Sequence, residues 1–439
     1  MGLLAVARNK KDRAGSTMSS SRVVARQRVF AVLDVGSSKV ACFIGIKEVS
    51  KTGNPLPVRV IGIGHQVCHG LKGGAVVDMD QVEHSIRAAV DAAERMADVH
   101  VQDVIVNVSI QGLRSESCYG VMNIDGREVA DADVTRVLSD SVAAANETGL
   151  EVIHAIPVGY KVDGSSNIAH PAGMYAEELR VDVNLVATAP GPLRNLRACV
   201  ERCHLGVVRF VASPLASGLA CLVEDEMDLG VTLIDMGGGT TTVSVFSDGA
   251  LQFAGVIPVG GHSVTNDLAR VLQTPVEHAE RMKVFYGSAF DGPNDGKEMI
   301  RVPQVGEEDD DEGHTVPRAM LTQIIRPRLE ETFEMVQRMI EANPKARIAS
   351  RGAVLTGGAS QLSGSKELAA RILDKQVRLG RPTKLTGLAD VTRGPAFSTA
   401  AGLLSFSANP PADVAYRPAK ASILPFESRL GKLRSLLFF

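Results

Sequence analysis

Two short segments of the chain carry an aspartate, glycines and hydroxyl side chains in an order that suits phosphate binding. They are Asp34-Val-Gly-Ser-Ser-Lys39 and Asp235-Met-Gly-Gly-Gly-Thr240. Glycine lets backbone N–H groups approach phosphate oxygens, and serine or threonine hydroxyls add further donors. Lys39 could supply positive charge, and Asp34 and Asp235 offer the oxygen ligands that Mg²⁺ prefers. The pattern predicts that both segments hold phosphate groups and that the two aspartates hold a magnesium ion.

Similar elements surround the two segments. Each lies between apolar runs that predict β-strands, at 29–34 and 39–46 for the first and at 231–235 and 242–246 for the second. One such turn alone is more typical of an ordinary hairpin, but two copies in one chain predict a duplicated domain. We expect the two loops to face each other across a nucleotide cleft.

A third glycine turn, Thr356-Gly-Gly-Ala-Ser360, follows another predicted strand at 352–356. Its diglycine, Gly357 and Gly358, would let the adenine and ribose of a nucleotide lie flat against the backbone, next to Ala359. The alternative is that the three turns are unrelated structural turns. The matching positions of the first two favour the cleft.

Composition limits the class of protein. The 439 residues are 45% apolar and 22% charged, which is ordinary for a soluble chain of several domains. The net charge of −3 and the absence of tryptophan argue against a general nucleic-acid binder. Apolar runs of about 18 residues or more are missing, so no transmembrane helix is predicted. Residues 1–28 are largely polar and basic and predict a disordered leader.

The last fourteen residues, 426–439, form an amphipathic pattern after a proline-containing stretch. Its apolar residues are Phe426, Leu430, Leu433, Leu436 and Leu437, and its basic residues are Arg429, Lys432 and Arg434. A basic amphipathic helix behind a flexible tether is typical of an anchor that lies in the plane of an anionic membrane. The alternative is a helix docked on the body of the chain, which would rarely end in an exposed Leu-Leu-Phe-Phe.

The three turns resemble the phosphate-1, phosphate-2 and adenosine motifs of the superfamily of actin, hexokinase and the heat-shock chaperone ATPases. The chain is also similar to the FtsA family of bacterial cell-division proteins over about 29–407 and at the C-terminus. The motifs that carry this resemblance are Gly70-Leu-Lys-Gly-Gly74, Ala93-Glu-Arg-Met-Ala97, the second phosphate segment, Val256-Ile-Pro-Val-Gly-Gly261, Ala279-Glu-Arg-Met-Lys-Val284, Leu355-Thr-Gly-Gly-Ala359 and Ser398-Thr-Ala-Ala-Gly-Leu-Leu404.

The resemblance implies roles for particular residues. Phosphates would be held by Gly36, Ser37, Ser38 and Lys39 on one side and by Gly237, Gly238, Gly239 and Thr240 on the other. Gly357, Gly358 and Ala359 would contact the adenosine, and Glu280 and Lys283 would approach the ribose and base. For this last pair, an exposed i,i+3 ion pair is an equally good interpretation. Asp34 stands where many relatives have glutamate, which shortens its reach toward Mg²⁺ by one methylene.

The resemblance also implies an α/β fold of duplicated actin-like (ribonuclease H-like) domains around the cleft, with an inserted small subdomain and a C-terminal amphipathic helix. We expect a leader (1–28), a first domain (29–104, completed by 189–214 and 386–407) and an insert (105–188). A second domain (215–261 and 330–385) would carry its own small subdomain (262–329), followed by a linker (408–425) and the membrane-targeting helix (426–439).

Taken as a family member, the chain would bind ATP with Mg²⁺, form actin-like polymers with itself and tether the FtsZ ring to anionic lipid. It would lie at the division septum, on the cytoplasmic face of the inner membrane, and recruit later division proteins. It would be no enzyme beyond a weak ATPase. The alternatives are a sugar or acetate kinase, which needs a base for its acceptor, and a chaperone ATPase, which needs a peptide-binding domain.

Overall fold

The computed structural model describes residues 28–47, 57–145, 149–305, 314–348 and 352–413. Almost all of the predicted leader lies outside these ranges, as do residues 414–425 of the linker. The predicted membrane helix at 426–439, with all eight of its proposed lipid-contacting residues, also lies outside the described residues.

The first part of the chain builds a sheet and one long helix. Its elements are β1 (Arg28–Val35), β2 (Lys39–Lys47), β3 (Arg59–Val67), the short strands β4 (Leu71–Lys72) and β5 (Ala75–Val76), α1 (Met79–Ala97) and β6 (Asp103–Val108). Helix α1 begins where the side chain of Asp78 accepts hydrogen bonds from the next turn, and buries Ile86, Ala89 and Ala93. It packs closely on β3, since a Cβ atom at Gly64 would overlap the carbonyl oxygen of Ala89.

The inserted subdomain follows β6. It consists of β7 (Arg114–Glu128), α2 (Asp131–Ala145), β8 (Glu151–Val162), β9 (Ser165–Ile168) and β10 (Tyr175–Thr188). Its strands pair in the order β7-β10-β8-β9 and bury a small core that includes Ile124, Leu179 and Val181. A single backbone pairing, Arg114 with Gly255, joins this sheet to the second domain. The insert therefore contacts both halves of the molecule.

The chain then completes the first sheet and builds the second. The elements are α3 (Pro190–Arg202), β11 (Gly206–Ala212), α4 (Ser213–Cys221), α5 (Glu224–Leu229), β12 (Val231–Met236), β13 (Thr241–Ser247), β14 (Ala250–Ile257), α6 (Gly261–Leu272), α7 (Val276–Tyr286), β15 (Met299–Val302), β16 (His314–Pro317), α8 (Arg318–Ala342), β17 (Gly352–Thr356), α9 (Ser365–Leu373), β18 (Gln376–Leu379) and α10 (Ser398–Ala408).

The two sheets share one topology. The first has the order β3-β2-β1-β6-β11 and the second has the order β14-β13-β12-β17-β18, before the insert strands continue it. In each, an antiparallel hairpin comes first and two parallel strands follow on its other side. The predicted duplication is therefore confirmed.

Helices α4 and α10 cross between the two sheets. Their backbones approach so closely that a Cβ atom at Gly402 would overlap the carbonyl oxygen of Ala216. Helix α4 leads the chain from the first sheet to the second, and α10 packs back on β1 and β2. This contact fixes the two halves at the base of the groove between them.

Candidate nucleotide-binding site

The two predicted phosphate loops adopt the same turn. Each joins the first two strands of its sheet, β1 to β2 and β12 to β13. The N–H of Gly36 donates to the carbonyl of Lys39 over 2.9 Å, and the N–H of Gly237 donates to that of Thr240 over 2.8 Å. The two loops therefore share local geometry as well as sequence pattern.

The loops touch across the groove. A Cβ atom at Gly238 would lie 2.9 Å from Cβ of Ser38, and one at Gly239 would lie 2.7 Å from Cβ of Ser37. Both glycines are needed here for close approach rather than for an unusual backbone angle. Any larger side chain at these positions would separate the two halves.

Between the loops lies an open cleft with a cavity volume of about 90 Å³. Twelve of the residues proposed from sequence line it, namely Asp34, Gly36, Ser37, Ser38, Lys39, Asp235, Gly237, Gly238, Gly239, Thr240, Gly357 and Gly358. Ala359, Glu280 and Lys283 lie outside its lining. The charged residues of this lining are two aspartates and one lysine.

Asp235 is buried and Asp34 is partly buried, and the groups that offset their charges differ. Burial raises the pKa of Asp34 to about 7, against the opposing charge of Lys39. Burial also raises the pKa of Asp235, but there the hydroxyls of Thr399 and Ser217 oppose it. The Thr399 hydroxyl donates to Oδ2 of Asp235 over 3.1 Å. Lys39 therefore offsets the charge of both carboxylates, and Asp235 has hydroxyl donors in addition.

Lys39 points toward the segment before α10. Its Nζ donates to the carbonyl of Ala396 and lies 4.0 Å from the centre of the Phe397 ring. Burial lowers the pKa of the Lys39 amine, while the nearby Asp34 and Asp235 act to raise it. The lysine is thus held in place at the wall of the cleft.

The chemistry of the lining fits a magnesium ion. When both carboxylates are ionised, their charge exceeds that of the single amine by one, and a bound metal cation would offset the excess. The hydroxyl Oγ1 of Thr242 is buried in the same wall and has no hydrogen-bond partner among the described residues. Oxygen donors of these kinds, together with phosphate and water, make up the usual Mg²⁺ shell.

The third turn packs directly on the second loop. Gly357 has a φ of +90°, and a Cβ atom there would lie 2.6 Å from the carbonyl carbon of Met236. Glycine is required on both grounds. Ala359 lies beside the start of α6, because its Cβ would be 3.1 Å from a Cβ atom at Gly261. The turn therefore forms the wall of the cleft on the side of the second domain.

Glu280 and Lys283 belong to a network rather than to an isolated surface pair. Nζ of Lys283 lies 2.6 Å from Oε2 of Glu280 and donates to Oγ1 of Thr265 and the carbonyl of Gly261. The lysine side chain is 12% exposed and the glutamate 45%. Burial acts to raise the pKa of Glu280, but its hydrogen bonds with Lys283 and Thr265 hold the pKa below its usual value. The pair ties α7 to the beginning of α6.

Several residues of the lining were missed from sequence: Asn107, Ser109, Ser213, Pro395, Ala396 and Thr399. Asn107 is the most informative, because its Oδ1 accepts from the N–H of Val35 over 2.7 Å and its Nδ2 donates to Oγ of Ser213. It lies near the carboxyl end of β6, beside β1 in the parallel part of the sheet. A polar residue at that end of a predicted strand was the available signal.

Comparison with known proteins agrees with this architecture. The family model described as "Cell division protein FtsA" matches residues 232–402, and the one described as "SHS2 domain inserted in FTSA" matches 111–187. The cell division protein FtsA of Rhizobium meliloti is 45% identical over 386 residues, which is 87% of each chain. This chain belongs to the FtsA family of cell division proteins.

Solved structures show the same fold at low sequence identity. The PilM-PilN type IV pilus biogenesis complex matches with a TM-score of 0.61 and 16% identity, covering 87% of this chain and 99% of that one. MreB 5 of Spiroplasma citri bound to AMPPNP matches with a TM-score of 0.52 and 13% identity, covering 86% and 96%. The predicted actin-like fold with an inserted subdomain is therefore confirmed. Among the described residues of this FtsA family member, no helix is long and apolar enough to cross a membrane.

Proposed function

We propose that this FtsA family member binds ATP in the cleft and that Asp34 and Asp235 hold its Mg²⁺. The observation that carries the proposal is the meeting of two equivalent glycine turns, one from each duplicated half, in a single cavity. Backbone N–H groups and hydroxyls from both turns would then face the same phosphates. The solved MreB 5 structure, whose fold is similar, was determined with AMPPNP, which supports the assignment.

Different residues of the site would bind different parts of the nucleotide. The first and second loops cradle the phosphates, and Gly357, Gly358 and Ala359 take the adenosine. Glu280 and Lys283 reach the ribose edge from α7. A Mg²⁺ ion held by Asp34 and Asp235 would neutralise the charge of the phosphates and of these two carboxylates. Closure of the cleft would follow, because the ligand contacts both halves.

Calorimetric titration with ATP, with and without Mg²⁺, tests this assignment. Gly238→Val is expected to lower ATP affinity at least about tenfold, because the added side chain overlaps the first loop. Gly159→Val is the matched control, since a Cβ atom there meets nothing within 4 Å. Unchanged affinity in Gly238→Val would remove the cleft assignment.

We further propose that the chain assembles with copies of itself and tethers FtsZ to the cytoplasmic face of the inner membrane at the septum. Its membrane contact would be the predicted helix at 426–439, and later division proteins would be recruited there. The basic amphipathic pattern and membership of the FtsA family support this. ATP would then act mainly as a ligand that closes the cleft, with at most slow hydrolysis.

Co-sedimentation of FtsZ filaments with anionic vesicles tests the tethering. The full chain is expected to bring both into the pellet, and removal of 426–439 is expected to release the vesicles. Leu433→Glu should act like the deletion, whereas Ser435→Glu, on the opposite face, should have a much smaller effect. Vesicle binding without the tail would contradict the anchor, and sugar turnover above about 1 per second would favour a kinase instead.

A further inference from the structure

A buried polar cluster lies outside the cleft, where three parts of the chain meet. His154 comes from β8 of the insert, Arg209 from β11 of the first sheet, and Asp413 from the segment that follows α10. Their side chains are 0%, 7% and 1% exposed. Burial of an ionic group to this extent is expensive unless its partners are well placed.

Asp413 uses both carboxylate oxygens. Its Oδ2 lies 2.6 Å from Nδ1 of His154 and accepts a hydrogen bond from Nη2 of Arg209. Its Oδ1 accepts from the N–H of Ala155 over 2.9 Å. One carboxylate therefore connects the side chains of two elements and the backbone of one of them.

The geometry fixes the proton on the imidazole. Nε2 of His154 accepts from the N–H of Ala212 over 2.9 Å, so the proton lies on Nδ1 and is donated to Asp413. Burial lowers the pKa of His154, in agreement with a neutral ring. Burial acts to raise the pKa of Asp413, but the hydrogen bond from His154 and the charge of Arg209 hold it below its usual value. The cluster is therefore a neutral histidine beside one ion pair.

Helix α10 covers the cluster. The guanidinium of Arg209 lies 4.9 Å from the centre of the Phe406 ring, and the His154 ring meets the same phenylalanine edge-on at 6.0 Å. The insert, the first sheet and the C-terminal segment thus share one packed site. Without Asp413, a guanidinium and an imidazole N–H would lose their carboxylate while remaining buried.

We propose that Asp413 is a latch: when docked, it holds the inserted subdomain against the first sheet, and its withdrawal with the C-terminal segment frees the insert. The chain continues from Asp413 toward the predicted membrane helix, so the latch also fixes where that tail leaves the body. The proposal needs neither ATP nor lipid binding. It stands or falls separately from the proposed function.

Hydrogen exchange of the full chain tests the latch with Asp413→Asn. Exchange at the amides of Ala155 and Ala212 is expected to rise at least about tenfold, while the β1–β2 hairpin keeps its protection. Asp390→Asn is the matched control, because Asp390 is fully exposed and its ion pair with Arg393 is 3.9 Å long. No change in Asp413→Asn, or loss of protection over the whole chain, would overturn the proposal.

Two further comparisons keep the test informative if the single variant is poorly stable. The double variant Asp413→Asn with Arg209→Gln removes both charges and is expected to regain part of the stability lost by the single variant, with the insert still loosened. A chain ending at Asn409 should exchange like Asp413→Asn, whereas one ending at Ala415 should resemble the full chain. Equal protection in the two truncated chains would contradict the latch.

Discussion

The first and second phosphate loops are closely matched in backbone but differ in the groups that hold their aspartate carboxylates. Each turn is closed by the same N–H to carbonyl bond, and each aspartate lies near the end of an equivalent strand. Lys39 offsets the charge of both carboxylates, but the second loop adds hydrogen bonds from Thr399 and Ser217. Duplication therefore preserved the geometry of the turn while the electrostatics of the two loops diverged.

The largest expected effect is on stability, from Asp34→Asn. The unfolded carboxyl ionises near pH 3.8, whereas the folded one keeps its proton to about pH 7. The folded state therefore loses stability as pH rises through this window, and the penalty is complete above it. In the absence of nucleotide, Asp34→Asn should raise the free energy of unfolding at pH 8 by on the order of 3 kcal/mol.

Urea unfolding at pH 8 and at pH 4 measures this gain, which should nearly vanish at the lower pH. Asp235→Asn is the matched variant. Its gain should be smaller, because hydroxyl donors already stabilise that charge. Equal gains in the free energy of unfolding from Asp34→Asn and Asp235→Asn would contradict the proposed difference between the two loops.

A smaller effect, on ATP affinity, is expected from Gly239→Ala. The added methyl group would overlap Oγ of Ser37, and overpacking of this kind costs about 1–3 kcal/mol. Ser37→Gly in the same chain removes the overlapping atoms together with a hydroxyl proposed to bind phosphate, so the double variant should lose less affinity than the sum of the two single losses. Fluorescent-nucleotide titration of the two single variants and the double variant measures this. Fully additive losses in the double variant would mean that the loops do not meet in the bound state.

Thr399→Val tests whether a hydroxyl donor stabilises the carboxylate of Asp235. Loss of the hydrogen bond to Asp235 should lower the free energy of unfolding at pH 8 by about 1 kcal/mol. The control is Thr392→Val, whose hydroxyl donates to the carbonyl of Ala389 instead. Because the affected group is a carboxylate, only Thr399→Val should make stability fall more steeply with rising pH. Identical pH profiles for the two variants would contradict the assignment.

The smallest effect is expected from Lys283→Met, which removes a charge from the network beside the cleft. ATP affinity should fall by about threefold, since the residue lies at the ribose edge rather than at the phosphates. The matched control is Arg338→Met, which breaks the exposed pair with Glu334 on α8. If both substitutions leave ATP affinity unchanged, the pair of Lys283 with Glu280 has only a structural role.

Much of the fold could be predicted from hydrophobic pattern. The apolar residues of 81–97 recur at helical spacing, which predicts the helix observed as Met79–Ala97. The two hairpins with their loops appear where the repeated pattern places them. These predictions succeeded because each element buries one clear apolar face or lies wholly in the core. Local sequence and tertiary packing favour the same structure there.

Other elements could not be predicted. Strand β7 runs over fifteen residues, but its side chains are mostly exposed, so a polar, loop-like pattern hides it. The pattern of residues 262–285 predicts one helix, but the structure has two, because Pro275 interrupts it. The polar stretch 286–316 predicts a loop, but β15 pairs with β16 there. Thr399 reaches the cleft only because α10 packs back between the two halves, whereas Asn107 had a signal in its place at the end of a predicted strand.

Helix α10 connects the nucleotide cleft to the start of the C-terminal tail. Its first turn places Thr399 against Asp235, and its last carbonyl, that of Ala408, accepts from Nζ of Lys47 over 2.7 Å. The eleven residues of α10 form one continuous α-helix about 16 Å long. The C-terminal tail therefore begins at the end of the same helix whose first turn contacts the carboxylate of Asp235. If Thr399 moved with Asp235, the whole of α10 would move, and with it the point where the C-terminal tail begins.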